Sequence, residues 1–573
     1  MTTEDACPAA ILSGGRERTM SKIAQGLSDS FLVNSHRTMA DHSRPALPLD
    51  VQLHILSYLT DRCDVFSFML TSREAYRSSH LHYLRLPLRF DDSGKEHWGR
   101  LRQFLQYMLD HPSHCHLIKY LEIEADQPLP AGIIEIVFKH FPSLEQLSVP
   151  SIEGQIIPSP NNQTETIPPM EFQKLQRLEI TYATANAVNM LKYLHAPLRF
   201  VSIAFARSRA GRGRIELPVI IRNPIIFMVN FRTTLEVLSI VRGSWNQPFS
   251  SSLQYPNLRE LNLQNTPPPY NKVATSFPNL KRLTLMNSIH GLPMAPRPRI
   301  DAWSHLEYVR GSLSDLYSLG LSGKVHHLYG VIDYLPDLRR TLEAVQETRP
   351  TLLVLDIKNP FDMFVTDSNE DYGVVDLRPM ITYDELRHFS VQLDVAKSWS
   401  AILSSPKGEY GSFKEIMDKT LKFISAAKSV THLTLSISWI RYLHVPNCCS
   451  QHASQGLAKC DCHSRLKALE TASEVRDVYH EYLIANKDAI LVHLVENLPS
   501  LEYIVLDCVR QYAASSYDVL QSIEGWHIAE GTDSDPQSVS GDITRIGNYK
   551  TEVLTREECK LLSEQYGGFQ VCY

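Results

Sequence analysis

A short motif, Leu-x-x-Leu-x-Leu after a turn residue, recurs along most of this chain. The leucines that open four successive copies, Leu235, Leu258, Leu280 and Leu306, are 23, 22 and 26 residues apart. A unit of that length holds one short strand and a returning helix or loop, and it cannot bury its apolar side alone. The period therefore requires that the units stack and share one continuous core.

The motif occurs eleven times in clear form and twice in degenerate form, at 117–123 and 323–330. Leucines alternate with polar residues in "LRELNL" and "LKRLTL", which predicts leucines facing a core and polar residues lining a parallel strand face. The pattern resembles leucine-rich repeats, although the asparagine that closes a regular repeat is mostly missing, so an irregular solenoid is expected. The clear copies lie at 141–149, 172–180, 196–203, 233–240, 255–263, 277–285, 303–311, 349–357, 383–391, 427–437 and 498–506.

Two segments between the copies, 410–429 and 464–498, have helical spacing of apolar residues and are predicted to pack on the core. Residues 509–573 do not continue the motif clearly. They are predicted to form a loop followed by a terminal helix that closes the open end of the stack. Thr555 and Glu558 have the spacing of a capping box at the start of that helix.

The chain has 573 residues, which is too long for one ordinary core and indicates several units. Its 43% hydrophobic and 21% charged residues are typical of a folded soluble protein, and a formal charge of −6 argues against nucleic-acid binding. No signal peptide and no membrane-length apolar run are visible. Ten unevenly spread cysteines do not suggest a disulfide scaffold, so a cytoplasmic or nuclear location is expected.

The stretch "LPLDVQLHILSYLTDRCDVFSFMLTSREAYRSS" (47–79) reads as three short helices with apolar residues on two neighbouring faces. Pro48 suits a first helical turn and Asp50 favours the positive helix N-terminus. Asp64 is predicted to cap the second helix. Helices this small cannot bury two apolar faces by themselves, so the rest of the chain or a partner must cover the spare face.

The residue order of this stretch resembles the F-box motif, over about residues 44–90, with Tyr76 where the family usually has Trp. The matching positions are Leu47, Pro48, Asp50, Ile55, Leu56, Leu59, Asp64, Val65, Ser72, Arg73 and Tyr76. The resemblance implies docking on the Skp adaptor of SCF-type cullin-RING ubiquitin ligases, and through the adaptor on a cullin. The adaptor contacts that it implies are Leu47, Pro48, Ile55, Leu56, Leu59, Val65 and Met69.

A cysteine- and histidine-rich insertion, 444–464, interrupts the repeats. Zn²⁺ takes four such ligands in a tetrahedron, so a small structural metal clip is one reading. The adjacent Cys-Cys and the Cys-x-Cys spacing depart from the usual Cys-x₂-Cys pair, and a disulfide or a plain cysteine-rich loop is favoured. The candidate ligands are Cys448, Cys449, His452, Cys460, Cys462 and His463.

The segment "RSRAGRGR" (207–214) places four arginines in a glycine-containing loop. Arginines bind phosphate or carboxylate groups in a bidentate way, so Arg207, Arg209, Arg212 and Arg214 are candidates for binding an acidic or phosphorylated protein substrate. A solvated loop without a ligand explains the same residues and is favoured. RNA binding is disfavoured because no aromatic residue lies within the run.

No metalloprotease, nucleophile-elbow or complete P-loop signature occurs, and no RING-type Cys/His array is present. The expected protein is therefore non-catalytic and needs no cofactor. Its fold class is α/β: a disordered tail (1–43), a three-helix F-box (44–90), a leucine-rich-repeat-like solenoid with parallel strands on one face (91–508) and a C-terminal cap or extension (509–573). The expected function is a substrate receptor of an SCF-type ligase that binds an unknown protein, with neither nucleic acid nor membrane as a partner. A repeat scaffold whose N-terminal helices merely cap the stack is the alternative, and an enzyme built on a solenoid is a weaker third reading.

Overall fold

The structure is a computed structural model of the whole chain. The residues that it describes are 48–71, 73–91, 98–124, 129–150, 152–153, 170–205, 223–244, 253–266, 270–286, 303, 306–321, 323–332, 338–358, 360, 378, 381–395, 408–441, 478–512, 519–530, 543–546 and 549–566. The predicted tail 1–43, the arginine loop 207–214, the insertion 444–464 and the start of the predicted helix at 464–498 lie outside these residues.

Three helices open the described part of the chain: α1 (Leu49–Tyr58), α2 (Arg62–Met69) and α3 (Arg73–Arg85). Pro48 immediately precedes α1, where its missing N–H costs no hydrogen bond. The cap of α2 is Asp61, whose carboxylate accepts a hydrogen bond from the Cys63 N–H at 2.6 Å. The prediction that Asp64 caps this helix is wrong, because the helix begins at Arg62 and Asp64 lies in its first turn.

The remainder of the first compact unit, which ends at Leu258, is built on a parallel sheet. Its strands pair in chain order, and their core residues are in register, for example Leu121 beside Leu147 and Leu178 beside Val201. The strands of this sheet are β1 (Leu88–Asp91), β2 (Tyr120–Glu124), β4 (Gln146–Val149), β7 (Arg177–Ala183), β9 (Phe200–Phe205) and β10 (Val237–Val241). Two minor parallel pairs are β3 (Leu129–Pro130) with β5 (Ile152–Glu153) and β6 (Met170–Glu171) with β8 (Leu194–His195).

Helices and single turns return the chain between these strands. The helices are α4 (Gly99–Asp110), α5 (Ala131–His140) and α6 (Ala185–Met190), and short 3₁₀ helices span Pro112–Leu117, Pro224–Phe227 and Val229–Phe231. Their apolar residues, such as Leu101, Val137 and Phe231, are fully buried. Each returning segment therefore covers the apolar side of its own strand.

The second compact unit, Arg259–Tyr573, contains a longer sheet. Eight strands pair in parallel and in chain order, and one register row runs through Leu261, Leu283, Leu328, Leu353 and Ile504, all buried. The strands are β11 (Glu260–Gln264), β12 (Arg282–Met286), β13 (Tyr308–Ser312), β14 (His327–Ile332), β15 (Leu352–Ile357), β16 (His388–Asp394), β17 (His432–Arg441) and β18 (Tyr503–Tyr512). The helices between them are α7 (Tyr270–Ser276), α8 (Leu313–Leu319), α9 (Leu338–Thr348), α10 (Gly408–Ile424) and α11 (Val478–Asn497).

Every copy of the sequence motif predicts a strand correctly, whereas β1 carries no copy. All thirteen copies, clear and degenerate, coincide with strands β2, β4, β7 and β9–β18. The motif leucines alternate with less buried residues, as in β11, where Leu261 and Leu263 are buried and Glu260 and Asn262 are not. The predicted mixed α/β class with parallel strands is thereby confirmed, and the predicted helix at 410–429 corresponds to α10.

The C-terminal part differs from the prediction of a loop and one helix. After β18 the sheet continues in antiparallel strands β19 (Val519–Glu530), β20 (Ile543–Ile546) and β21 (Tyr549–Val553), with β19 between β18 and β21. These strands lack the motif. Antiparallel strands can be joined by a short hairpin, so their pairing does not require the repeated turn and leucines of the parallel units. The terminal helix is confirmed as α12 (Arg556–Tyr566), and the Thr555–Glu558 capping box forms, with the Glu558 carboxylate 2.8 Å from the Thr555 N–H.

No helix in the described ranges is long and apolar enough to cross a membrane.

Candidate functional site

The first candidate site is a set of exposed apolar side chains on the three N-terminal helices, which we call the helical surface. Leu53, Tyr58, Phe66 and Leu70 are 51%, 70%, 43% and 65% exposed. Where such side chains adjoin in one patch, they mark a surface that another molecule binds. The helical surface consists of Val51, Leu53, Tyr58, Phe66, Leu70, Tyr76 and Leu81, which are seven of the thirteen large exposed apolar residues in the described part of the chain.

The residues predicted to contact the adaptor divide between surface and interior. Leu56, Val65 and Met69 are buried and form the core of the three-helix unit, with Leu59 and Phe68 packed against them. In this conformation the three core residues would support an interface by holding the helices together. The sequence pattern could not show that these three residues are buried and that Leu53 and Leu70 are exposed. On short helices with apolar residues on two faces, either face can be the buried one.

The other predicted adaptor contacts are closer to solvent. Pro48 is exposed, and Ile55 and Leu59 are partly buried. Leu47 lies outside the described residues. A role of any of these residues in adaptor binding stays a prediction.

The three helices also contact the first strand–helix unit. His80 of α3 lies edge-on to His114 of the 3₁₀ helix, with ring centroids 5.7 Å apart, and the Tyr107 hydroxyl lies 3.2 Å from His114 Nδ1. The pKa of His114 is lowered, first by burial and then by repulsion from the neighbouring histidines His80, His111 and His116. The three helices are therefore joined to the first strand–helix unit by aromatic and imidazole contacts as well as by the covalent backbone.

A cavity of about 260 Å³ lies between α2, α3, β1 and α4. Three arginines line it: Arg62, Arg89 and Arg100. Arg62 stacks on Tyr83, with the guanidinium carbon 4.0 Å from the ring centroid, and burial lowers the pKa of Arg62. Arg89 forms an ion pair with Glu124 at 2.7 Å. The positive charge of the cavity is therefore partly neutralised by the chain itself.

The second candidate site is on the sheet of the second unit. Strand residues that alternate with the core leucines form a second face, which we call the polar strand face. One register row on it carries rings at Tyr308, His327, His388, His432 and Tyr503, with Leu352 of β15 between His327 and His388, and His527 continues it on β19. Ring centroids along this row are 4.5 Å apart for His388–His432, 4.7 Å for His432–Tyr503 and 4.9 Å for Tyr503–His527.

Two imidazoles of this row, those of His327 and His388, resist protonation. Burial, with repulsion from His326 and Arg282, lowers the pKa of His327 to about 4. Burial, with repulsion from His432 and His326, lowers the pKa of His388 to about 4. Both rings are therefore neutral at physiological pH and act as flat, stackable surfaces rather than as cations.

Polar residues follow the ring row further along the strands. The Tyr329 hydroxyl lies 3.1 Å from Asp356 Oδ2 and 3.0 Å from Gln392 Oε1, and it donates its one proton to either oxygen. Lys358 Nζ lies 2.8 Å from the same Asp356 oxygen. Burial and the Asp356 charge raise the pKa of Tyr329. This network is internally compensated, because its charged and hydrogen-bonding groups pair with one another.

The residues predicted to bind metal or substrate all lie outside the described residues. They are Cys448, Cys449, His452, Cys460, Cys462 and His463 for the metal, and Arg207, Arg209, Arg212 and Arg214 for the substrate. Among the residues that are described, no group of three or more His, Cys, Asp or Glu side chains could hold a metal ion. Four cysteines in the described ranges, Cys63, Cys115, Cys508 and Cys559, are not in disulfides.

Comparison with known proteins gives no assignment: no family model matches the chain. No curated protein is similar to it at a significant level. The functional argument therefore rests on the two surfaces.

Proposed function

We propose that this chain is the substrate receptor of an SCF-type ubiquitin ligase, with an F-box at α1–α3 that docks on a Skp adaptor and an irregular leucine-rich-repeat solenoid that binds the substrate. The observation that carries the proposal is the helical surface. Seven large apolar side chains are exposed within about 30 residues that also resemble the F-box in sequence. A partner that covers them removes apolar area from water, which is favourable by about 25 cal/mol per Å².

The mechanism that follows is proximity. The adaptor and cullin would hold the receptor near the ubiquitin-conjugating end of the ligase, and the solenoid would hold the substrate. Lysines of the substrate then react at a raised effective concentration, so the receptor itself needs neither a cofactor nor a catalytic residue. The ring row and polar groups of the polar strand face offer stacking and hydrogen bonding of the kind that protein recognition uses.

A second candidate is a repeat scaffold without a ligase role, in which α1–α3 only cap the stack. The burial of Leu56, Val65 and Met69 favours it, as does the contact of His80 with His114. Under this reading the helical surface has no adaptor partner.

The discriminating experiment is co-expression with a Skp adaptor, followed by size-exclusion chromatography of the wild type and two charge variants. Leu53→Asp and Leu70→Asp place a carboxylate on the helical surface without entering the core. We expect the wild type to co-elute with the adaptor one to one, and either variant to weaken binding at least tenfold by calorimetry, since a buried, unpaired carboxylate is costly. Leu56→Asp is unsuitable because it would place a charge in the three-helix core.

Leu561→Asp is the matched control, because Leu561 of α12 is 63% exposed, close to the 65% of Leu70, and lies in the second unit. It should bind the adaptor as the wild type does. A well-folded wild-type chain that elutes without the adaptor would refute the receptor proposal and leave the scaffold.

A further inference from the structure

The C-terminal helix α12 lies across the polar strand face, where it contacts β16, β18 and β19. Cys559 of this helix meets Gly525 of β19. A Cβ atom at Gly525 would be 2.6 Å from Cys559 Sγ, which is closer than any real contact. Gly525 pairs with Val505 on the face opposite to the leucine core. Position 525 therefore lets the helix approach the strand closely.

Among the described side chains of α12, Cys559 is fully buried and Leu562 is partly buried, whereas Arg556, Glu557, Glu558 and Leu561 are exposed. None of these six side chains forms a hydrogen bond or an ion pair with a strand of the sheet; Glu558 instead closes the capping box with Thr555. Because the cap lies within the helix itself, α12 can leave the sheet without losing its own hydrogen bonds.

The face that α12 crosses is closed to solvent in this structure. Ser390 of β16, Thr434 of β17 and Val505 of β18 lie in the same register row as Gly525, and all are at most 5% exposed. They adjoin the ring row of His388, His432, Tyr503 and His527 through alternate strand positions. The ring row, which is the part of the polar strand face best suited to stacking, therefore borders the part that α12 occupies.

We propose that the polar strand face between β16 and β19 is a helix-binding surface, and that α12 occupies it until a short amphipathic helix of a partner protein replaces it. The partner helix would resemble α12: a small apolar side chain against Gly525, as Cys559 is, and a larger one three residues later, as Leu562 is. If the proposed receptor function holds, this partner is the substrate, but the proposal needs no adaptor and stands apart from it.

The first test uses a chain that ends at Leu554 and a fluorescein-labelled peptide of residues 555–566 as the probe. We expect saturable binding to the shortened chain in fluorescence anisotropy, and at least tenfold weaker binding to the full chain, where α12 competes. Gly525→Ala in the shortened chain should abolish binding, because its methyl group occupies the space of the Cys559 sulfur.

Two peptides provide matched controls. A peptide with Leu561→Asp should bind as the unmodified peptide does, since Leu561 faces solvent in the helix that it copies. A peptide with Cys559→Glu should not bind, because it would bring a carboxylate onto an apolar contact. Equal binding of both peptides, or no binding of the unmodified peptide to a folded shortened chain, would overturn the proposal.

A second measurement uses the full chain and does not depend on the folding of the shortened one. Burial raises the pKa of the Cys559 thiol and shields it, so its alkylation by N-ethylmaleimide, followed by mass spectrometry of the modified peptide, should be slow. A saturating unlabelled peptide with Cys559→Ser should raise this rate at least tenfold by displacing α12, without a comparable change at buried Cys115. An unchanged rate would show that α12 is a permanent part of the fold and would overturn the proposal.

Discussion

Gly311 of β13 illustrates how a single residue sets the spacing of two strands. A Cβ atom there would lie 2.7 Å from the Leu285 carbonyl oxygen and 3.3 Å from Leu316 Cδ2, so neither the strand nor the helix beside it leaves room. Gly311→Ala should therefore destabilise the second unit by about 2 kcal/mol, the usual cost of overpacking a core. The measurement is the midpoint of urea unfolding followed by circular dichroism.

Gly132 is the matched control for that substitution. It lies in α5, and a Cβ atom added to it would meet nothing within 4 Å. Gly132→Ala should raise stability by roughly 0.5–1 kcal/mol, because alanine favours a helix over glycine. If both substitutions lowered the midpoint equally, the close approach at Gly311 would not be the cause.

At the scale of elements, the sequence predicts the strands that carry the repeated motif and misses the strands that do not. A strand is predictable from Leu258, Leu261 and Leu263, because each copy of the motif needs the same buried side chains. The register between neighbouring strands follows from the spacing of the copies. The antiparallel strands β19–β21 carry no such pattern. The choice between Leu53 and Leu56 as the interior residue of α1 depends on the packing of α2 and α3, which local spacing does not determine.

The ring row predicts a dependence of stability on pH. His327 and His388 have pKa values of about 4 in the folded chain, below the value of about 6.5 expected when unfolded. As pH falls, the unfolded chain binds protons first, so their contribution is fully present above pH 6.5 and is lost between about pH 6.5 and 4. Allowing for their partial exposure, the loss is on the order of 1 kcal/mol per histidine.

The measurement for this prediction is the urea midpoint at pH 7.5, 6 and 5. The double variant His327→Gln with His388→Gln should lose less stability on acidification than the wild type. His195→Gln, at an exposed position on β8, is the control for the loss of a histidine outside the ring row. Parallel pH curves for the wild type and the double variant would mean that other groups cause the acid sensitivity.

At the scale of the molecule, stacked units share a core only with their neighbours, so damage should stay local. Leu353 of β15 is fully buried between Leu328 and Phe389 in the register of the sheet. Leu353→Ala should cost about 2–5 kcal/mol. Hydrogen exchange should then show lost protection in β14–β16 and retained protection in β18.

A second substitution, in a different strand of the same sheet, tests whether the local loss of protection is a property of the stack rather than of one site. Ile504→Ala in β18, also fully buried, should expose the amides of β17–β19 to exchange and spare those of β14. A stack built this way tolerates change in one unit while its other units keep their shape, which allows the surface of one unit to vary independently of another. Uniform loss of protection from β11 to β19 in both variants would instead show that the second unit unfolds as one cooperative body.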